Sequence, residues 1–451
     1  MHQYLRRHGI GGIGIIRMSG KEAFEILEKI FQPKIKRNTI KGYTIQYGKI
    51  VENGQMIDEV LVSYFKAPKS YTTENMCEIN SHGGNIIVKK ILEMCLKNGA
   101  ELAEPGEFTK RAFLNGRIDL LQAESVIDII HAKSEKEAKT SSKQLEGILS
   151  KQIGEIKQQI LDVMVNIEVA IDYPEYDVDD VTNQQIENML EQIEEKLEKL
   201  EKSFDNGKII KEGIKTAIIG RPNAGKSSLL NAILKEDRAI VTEYEGTTRD
   251  TIEEFVTIQG IPLKLVDTAG IRQAKDEVEK IGIAKSREIA KEADLVIAIF
   301  DSSKELEKED LEILELIKNK KAIILLNKID LNPVLQENDK RLKEASSSII
   351  KMSALKLMGI EELYEKISEL FSLNEINLDN EIVITNLRHK NLISKAIENI
   401  KKTRQTIKEE MPLAIIAIFI KDILEDLGNI TGEEVSEDII NEIFAKFCLG
   451  K

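Results

Sequence analysis

One stretch limits what this 451-residue chain can fold into more than any other. Gly220-Arg221-Pro222-Asn223-Ala224-Gly225-Lys226-Ser227 fits G-x-x-x-x-G-K-[ST], a pattern that needs a strand turning through a glycine-rich loop into a helix. The flanks comply. Residues 214–219 are short, apolar and β-branched, and 228–234 read as a helix start. Glycines let successive backbone N–H groups converge on phosphate oxygens, helped by the positive end of the helix. In such a loop the Lys226 ammonium reaches the β- and γ-phosphates and Ser227 ligates Mg²⁺. A chance glycine turn followed by a lysine would lack what comes next.

Asp267-Thr268-Ala269-Gly270 follows an apolar strand at 263–266, where a carboxylate holds Mg²⁺ through water and a glycine senses the γ-phosphate. Asn327-Lys328-Ile329-Asp330 closes the apolar strand 322–326. There Asp330 accepts two hydrogen bonds from guanine N1 and N2, which adenine does not supply. Ser353-Ala354 follows the strand 348–352 and suits a backbone N–H donated to guanine O6. Between the first two boxes lies Gly246-Thr247-Thr248-Arg249-Asp250, with a threonine placed to complete the Mg²⁺ shell. Five boxes in this order, each at a strand end, select GTP.

The length predicts two or three domains. With 42% hydrophobic and 31% charged residues the chain is able to bury real cores. The lack of Trp predicts helical packing by Leu and Ile. Cys77, Cys95 and Cys448 are too widely spaced for a zinc ribbon or a disulfide scaffold, which fits a reducing cytoplasm. No secretory signal is apparent, and the longest apolar run, 413–420, is far too short to span a bilayer of ~30 Å and reads as buried helix. A net charge of −13 argues against indiscriminate nucleic-acid binding. The cluster Lys34, Lys36, Arg37 and Lys41 is a weak candidate tRNA face and reads more simply as solvated surface.

In order, 9–17 predicts a strand entering a tight turn and 21–31 a helix. Runs at 44–51 and 59–64 predict strands paired around Asn53-Gly54; then come a strand at 77–80 and a helix at 86–97. Residues 120–168 carry helical periodicity with no strong breaker, and 184–204 a charged amphipathic helix. The Glu/Lys run 191–202 is most simply a solvated face, and the acidic stretch 172–180 a loop without metal-ligand spacing. The nucleotide module spans roughly 210 to 370, and 381–451 is helical again, so the module interrupts one helical domain.

The ends of the chain narrow the reading. Cys448-Leu449-Gly450-Lys451 closes a chain that carries Gly-Gly-Ile-Gly-Ile-Ile-Arg near its start. Between them lie Glu78-Ile79-Asn80-Ser81-His82-Gly83-Gly84, Pro105-Gly106-Glu107-Phe108-Thr109, the stretch from Arg111 to Leu120, and Asn386-Leu387-Arg388-His389. Together with the boxes these resemble, over nearly the whole chain, the MnmE (TrmE) family within the TrmE-Era-EngA-YihA-Septin-like GTPases. The resemblance implies an α/β and all-α multidomain fold. An N-terminal α/β tetrahydrofolate-binding and dimerisation domain spans 1–117. A discontinuous helical bundle spans 118–209 and 373–451, interrupted by a Ras-like G domain, a doubly wound sheet, at 210–372. It implies a homodimer, cytoplasmic, acting on tRNA with the FAD protein MnmG in a heterotetramer or larger complex. Together they install an aminomethyl or carboxymethylaminomethyl group on wobble uridine. The carbon comes from methylene-tetrahydrofolate, and a 5-formyl derivative is a further expected ligand.

Carried over by residue, Arg17, Glu78, Arg117 and Lys451 match folate-contacting positions. Guanidinium and ammonium groups suit the glutamate tail and a carboxylate suits the pterin edge, although Arg17 and Arg117 also read as surface ion pairs. Cys448 matches the family's C-terminal cysteine, and a thiolate favoured by Lys451 makes it a candidate participant in the chemistry. The position after Asp-x-x-Gly, often glutamine in Ras-like enzymes, is Ile271 here, so another group must orient water. The resemblance points to Glu279, though sequence alone does not separate it from Glu277. No arginine finger is apparent. The family uses K⁺ instead, in a task worth ~10³–10⁵ in rate for an arginine, and Asn223, Thr242, Tyr244 and Thr247 match its ligands. Thr248 matches a Mg²⁺ ligand; Ser228, Glu243 and Glu245 complete the expected binding set. Residues 1–9, Met-His-Gln-Tyr-Leu-Arg-Arg-His-Gly, do not match the family's usual opening strand, so the chain is expected to lack that strand, which bears on the edge of the folate domain and on dimerisation. An Era- or EngA-type ribosome-assembly GTPase, acting as an RNA clamp, is the alternative, as is a purely mechanical dimerising GTPase.

Overall fold

A computed structural model describes residues 2–5, 11–35, 42–172, 179–235, 254–258, 260–266, 288, 290–373, 382–447 and 450. It divides into two compact units: Met1–Ile130 with Ser142–Ile193 and Lys395–Lys451, and His131–Ser141 with Glu194–Ser394. The second unit therefore holds more than the segment read as the nucleotide domain.

In the first unit, β1 (His2–Leu5), β2 (Ile13–Ser19), β3 (Phe31–Pro33), β4 (Thr44–Glu52), β5 (Gln55–Phe65) and β6 (Met76–His82) form an antiparallel sheet ordered β1-β2-β6-β5-β4-β3. The β4–β5 hairpin turns where the sequence placed it, because Asn53 (φ 50°) and Gly54 (φ 82°) both take the left-handed backbone that a tight hairpin requires. Period-2 alternation buries Val60, Val62 and Tyr64 of β5 against α1 (Ala23–Ile30) and α2 (Asn85–Lys97). Cys77 and Cys95 sit in this core; burial pushes both thiols up, Cys95 to about 12. The expectation of a missing first strand is overturned: β1 pairs with β2 from His2↔Met18 to Leu5↔Ile15. An edge ladder uses backbone groups alone, so a different side-chain sequence still supplies it.

The helical run expected at 120–168 is three helices: α3 spans Glu107–Leu114, then α4 Leu120–His131, α5 Glu135–Leu145 and α6 Ile148–Asp172. Ser134 caps α5 by accepting the Glu137 N–H at 3.1 Å, and Gly147 (φ 82°) separates α5 from α6. Since α6 ends at Asp172 and α7 spans Asp179–Glu212, the ends of the acidic stretch 172–180 are helical, and 173–178 lie outside the described residues. The helix over Leu413–Thr431 packs along α6 through Ile416, Ile420, Ile423 and Leu427. It is amphipathic rather than wholly buried, since Ile418 is 58% exposed. Ala112, Leu120 and Ala123 share a core with Ile440, Phe444 and Phe447, which brings sequence-distant segments into one cluster. Among the described residues no helix is long and apolar enough to cross a membrane.

The second unit is built on a sheet ordered β12-β11-β10-β7-β9-β8, from β7 (Ile214–Gly220), β8 (Glu254–Ile258), β9 (Ile261–Leu265), β10 (Leu295–Asp301), β11 (Ala322–Asn327) and β12 (Ile349–Lys351). It is parallel except for the β8–β9 pair. Ile297 and Ile299 of β10 face one apolar cluster while Val296, Ala298 and Phe300 face another. Both faces are covered, as a doubly wound sheet requires.

Candidate functional site

The phosphate loop leaves β7 at Gly220, where a side-chain carbon would stand 2.5 Å from the Ile299 carbonyl oxygen, so only glycine lets the loop start this close to β10. Asn223 (φ 63°) and Gly225 (φ 108°) turn the chain, and α8 (Lys226–Lys235) starts immediately. Lys226 Nζ donates to the carbonyls of Gly220 (2.6 Å) and Arg221 (2.8 Å), and burial lowers its pKa. Ser227 and Ser228 are exposed in the first turn of α8, and Asn223 is exposed on the loop. Arg221 anchors the loop's outer side to Glu307 (2.7 Å), Asp310 (3.1 Å) and Glu309 (3.5 Å).

Asn327, at the end of β11 and 3% exposed, joins this loop to the base-reading segments. Its Nδ2 donates to the Ala224 carbonyl at 2.8 Å and its Oδ1 accepts the Ala354 N–H at 3.0 Å. Gly225 is obligatory here too, since a side-chain carbon would lie 2.0 Å from Asn327 Nδ2. The Ser353 hydroxyl donates to Asp330 Oδ1 at 2.6 Å and holds that carboxyl below the usual carboxylate range. Lys328 (φ 66°) pairs with Asp301 at 2.7 Å. Burial works to raise the Asp301 pKa but is outweighed by Lys328 and by the Ser303 hydroxyl and N–H, leaving it low. The backbone donors expected to face guanine are engaged here: Ser353 N donates to Met358 O (3.1 Å) and Ala354 N to Asn327. The structure thus brings Asn223, Ala224, Gly225, Lys226, Ser227 and Ser228 together with Asn327, Lys328, Asp330, Ser353 and Ala354 in one unit.

A second cluster lies in the first unit. Register places Arg17 opposite Glu78 across β2 and β6. Arg17 Nε donates to Glu78 Oε1 at 2.8 Å and Nη2 pairs with it at 2.7 Å, with 14% and 19% of the two side chains exposed. The pair is thus neither a surface bridge nor two isolated ligands. Arg17 Nη1 donates to the Gly450 carbonyl at 3.0 Å, so the C-terminal tail arrives at the cluster. The Arg117 guanidinium stacks 4.4 Å from the Tyr71 ring, and Arg17 lies 5.9 Å from Tyr71 and 5.5 Å from Phe108. Tyr71 Oη and Thr109 Oγ1 share a 2.9 Å hydrogen bond.

Sequence reasoning named the arginines and, within Pro105–Thr109, Phe108 without a role; it missed Tyr71 and the contacts of both rings with the arginines. It also missed the anchoring acids of Arg221. Thr242, Glu243, Tyr244, Glu245, Gly246, Thr247, Thr248, Asp267, Thr268, Ala269, Gly270, Glu279, Cys448 and Lys451 lie outside the described residues.

The model described as "MnmE helical domain" matches residues 120–448, and "GTP-binding protein TrmE N-terminus" matches 6–117. The chain is similar to a tRNA modification GTPase MnmE of Acetivibrio thermocellus, 50% identical over 446 residues covering 98% of this chain and 97% of the relative. Proteins of the same name from Clostridioides difficile and Alkaliphilus metalliredigens are 49% and 48% identical, each again covering 98% of this chain and 97% of the relative.

Proposed function

Because this chain belongs to the MnmE family of tRNA modification GTPases, we propose that it is the GTP-hydrolysing component of a complex that modifies tRNA wobble uridine. The observation that carries the GTPase half is the buried Asn327 amide, which ties the phosphate loop to the guanine-reading box. GTP is held with Lys226 at its β- and γ-phosphates and Asp330 at the guanine edge. Mg²⁺ fits Ser227, exposed at the start of α8, with Thr248 and, through water, Asp267 completing its surroundings. K⁺ fits Asn223, exposed on a left-handed turn of the loop, with Thr242, Tyr244 and Thr247. Bound there, Mg²⁺ and K⁺ would neutralise the charge on the phosphates as the γ-phosphoryl passes to water and GDP leaves. Glu279 orients the attacking water in place of the glutamine that Ile271 replaces.

A tetrahydrofolate derivative fits the second cluster: Arg117 and Lys451 offer cations for its glutamate tail, and the bonded Arg17–Glu78 pair offers a carboxylate for the pterin edge with a cation beside it. Cys448 takes part in the one-carbon chemistry. The homodimer, the MnmG partnership, the cytoplasmic location and the domain limits 1–117, 118–209, 210–372 and 373–451 complete the reading. An Era-type RNA clamp has no comparable support, since the regular elements described after Leu387 are the helices Leu387–Lys408, Leu413–Thr431 and Glu437–Ala445.

The test is nucleoside analysis of tRNA from cells lacking the protein and rescued with wild type, Cys448→Ser or Asp267→Ala. Modified wobble uridine is expected to return with wild type alone. Full rescue by both variants would leave no catalytic role for either residue.

A further inference from the structure

The C-terminal tail reaches Arg17 through attachments that neither the nucleotide boxes nor the folate cluster requires. Phe444, in the last turn of the helix Glu437–Ala445, and Phe447, just past its end, bring their rings to 4.9 Å at a tilt of 36°. Phe444 is 2% exposed and Phe447 6%, and Phe113 of α3 lies 6.3 Å from the Phe444 ring. Opposite them stands Gly106, at the start of α3, with φ 71°. A side-chain carbon at Gly106 would come 2.8 Å from both the Phe444 carbonyl oxygen and Phe447 Cβ. Neither atom is the free end of a flexible chain, so the contact has no cheap relief. Lys110 Nζ, one turn along α3, donates to Asn441 Oδ1 at 2.6 Å. Beyond the seat, Gly450 is buried and its carbonyl is held by Arg17 at 3.0 Å. Only Cys448 and Leu449 lie between these two fixed points.

We infer that Gly106 and Phe447 are positioning residues: they form a seat that fixes the direction in which the tail leaves its helix, and so deliver Gly450 to Arg17. This deepens the folate reading, on which its consequence for modification rests, but the seat itself stands on the contacts above. The absence of a side chain at Gly106 lets the helix end approach α3. The Phe447 ring then fills the contact, and the next described residue, Gly450, is held at Arg17. A left-handed φ and a close backbone neighbour coincide at Gly106, two independent demands for glycine in the Pro-Gly-Glu-Phe stretch.

The test uses the full chain and carboxypeptidase B, which removes a C-terminal lysine. The scissile carbonyl is that of Gly450, the group bonded to Arg17, so a seated tail is protected and a released one is cut. Gly106→Ala and Phe447→Ala are each expected to speed loss of Lys451 by about tenfold or more, and the double variant to be no faster than the faster single, as for one shared seat. GTP hydrolysis should stay within about twofold of wild type, because neither residue belongs to the nucleotide unit, while wobble-uridine modification falls about tenfold or more. Ile153→Ala, in the buried face of α6 away from the tail, controls for general destabilisation and should leave Lys451 loss unchanged. Wild-type rates of Lys451 loss in both folded seat variants, or equal acceleration in Ile153→Ala, would overturn the inference. Equilibrium binding of 5-formyl-tetrahydrofolate is read separately. No binding by wild type would remove the folate reading while the seat stood on the protease rates.

Discussion

Asp330→Asn is expected to weaken GTP binding by on the order of 10²–10⁴-fold and to move preference toward xanthosine triphosphate. The carboxylate carries two acceptor oxygens side by side, matching the N1–H and N2–H donors of guanine. A carboxamide replaces one acceptor with a donor, which opposes guanine's amino group and suits the carbonyl that xanthine has there. Ser353 would still donate to the remaining oxygen, so the 2.6 Å bond that orients the side chain survives and the fold is spared. The lowered pKa of Asp330, held down by the Ser353 hydroxyl, keeps it ionised at neutral pH and leaves it an acceptor only. Titration of a fluorescent nucleotide, competed with each triphosphate, checks the outcome. Unchanged GTP affinity would mean that guanine is read elsewhere.

The second large effect is expected at Asn327. Its amide makes one bond to the phosphate loop and one to the base-reading segment, both in buried surroundings. Asn327→Ala leaves the Ala224 carbonyl and the Ala354 N–H without these partners, at a cost of about 1–3 kcal/mol for each unsatisfied buried group. Two such losses total about 2–6 kcal/mol, and half of that expressed in the site weakens nucleotide binding by about 5- to 150-fold. Both halves of the ligand should suffer, so GTP and GDP lose affinity together and discrimination against ATP narrows. Asn327→Asp is the sharper comparison. It keeps an acceptor for Ala354 N–H but sets a carboxylate against the Ala224 carbonyl, and should damage phosphate binding more than base selection. Calorimetric titration with GDP and GTP separates these outcomes. Loss of GTP affinity alone would assign Asn327 to the γ-phosphate rather than to the joint between the boxes.

These expectations show which features were legible in the sequence. The phosphate loop, its strand and its helix were readable because their determinants are local: β-branched residues before Gly220, glycine at the left-handed turn, and a helix start at Lys226. The Asn53-Gly54 hairpin was readable for the same reason. The break at Gly147 was not, because one glycine inside helical periodicity is often tolerated; the left-handed backbone it takes here, φ 82°, is what ends the helix. The edge strand His2–Leu5 was misjudged because its sequence differs from the expected opening, while the ladder to β2 depends on backbone alone.

The second cluster lay beyond local reading altogether. Arg17, Tyr71, Phe108, Arg117 and Gly450 come from five separate segments, and no spacing rule brings residues 17 and 450 together. Resemblance supplied the arginines, Glu78 and the stretch that holds Phe108; tertiary contact supplied Tyr71 and the placing of Phe108 against Arg17. The pairing of Arg17 with Glu78 also recasts their roles. Arg17 already donates to Glu78 and to the Gly450 carbonyl, so an incoming carboxylate would have to share or displace one of these acceptors.

Recognition of guanine nucleotide by the unit that carries Lys226, Asn327 and Asp330 underlies every other expectation for the nucleotide site. The most direct measurement is competition of unlabelled GTP and ATP against a fluorescent GTP analogue on the purified full-length chain with Mg²⁺ and K⁺ present. GTP is expected to displace the analogue at concentrations at least about 10²-fold below those of ATP. Displacement by the two at equal concentrations would contradict the account.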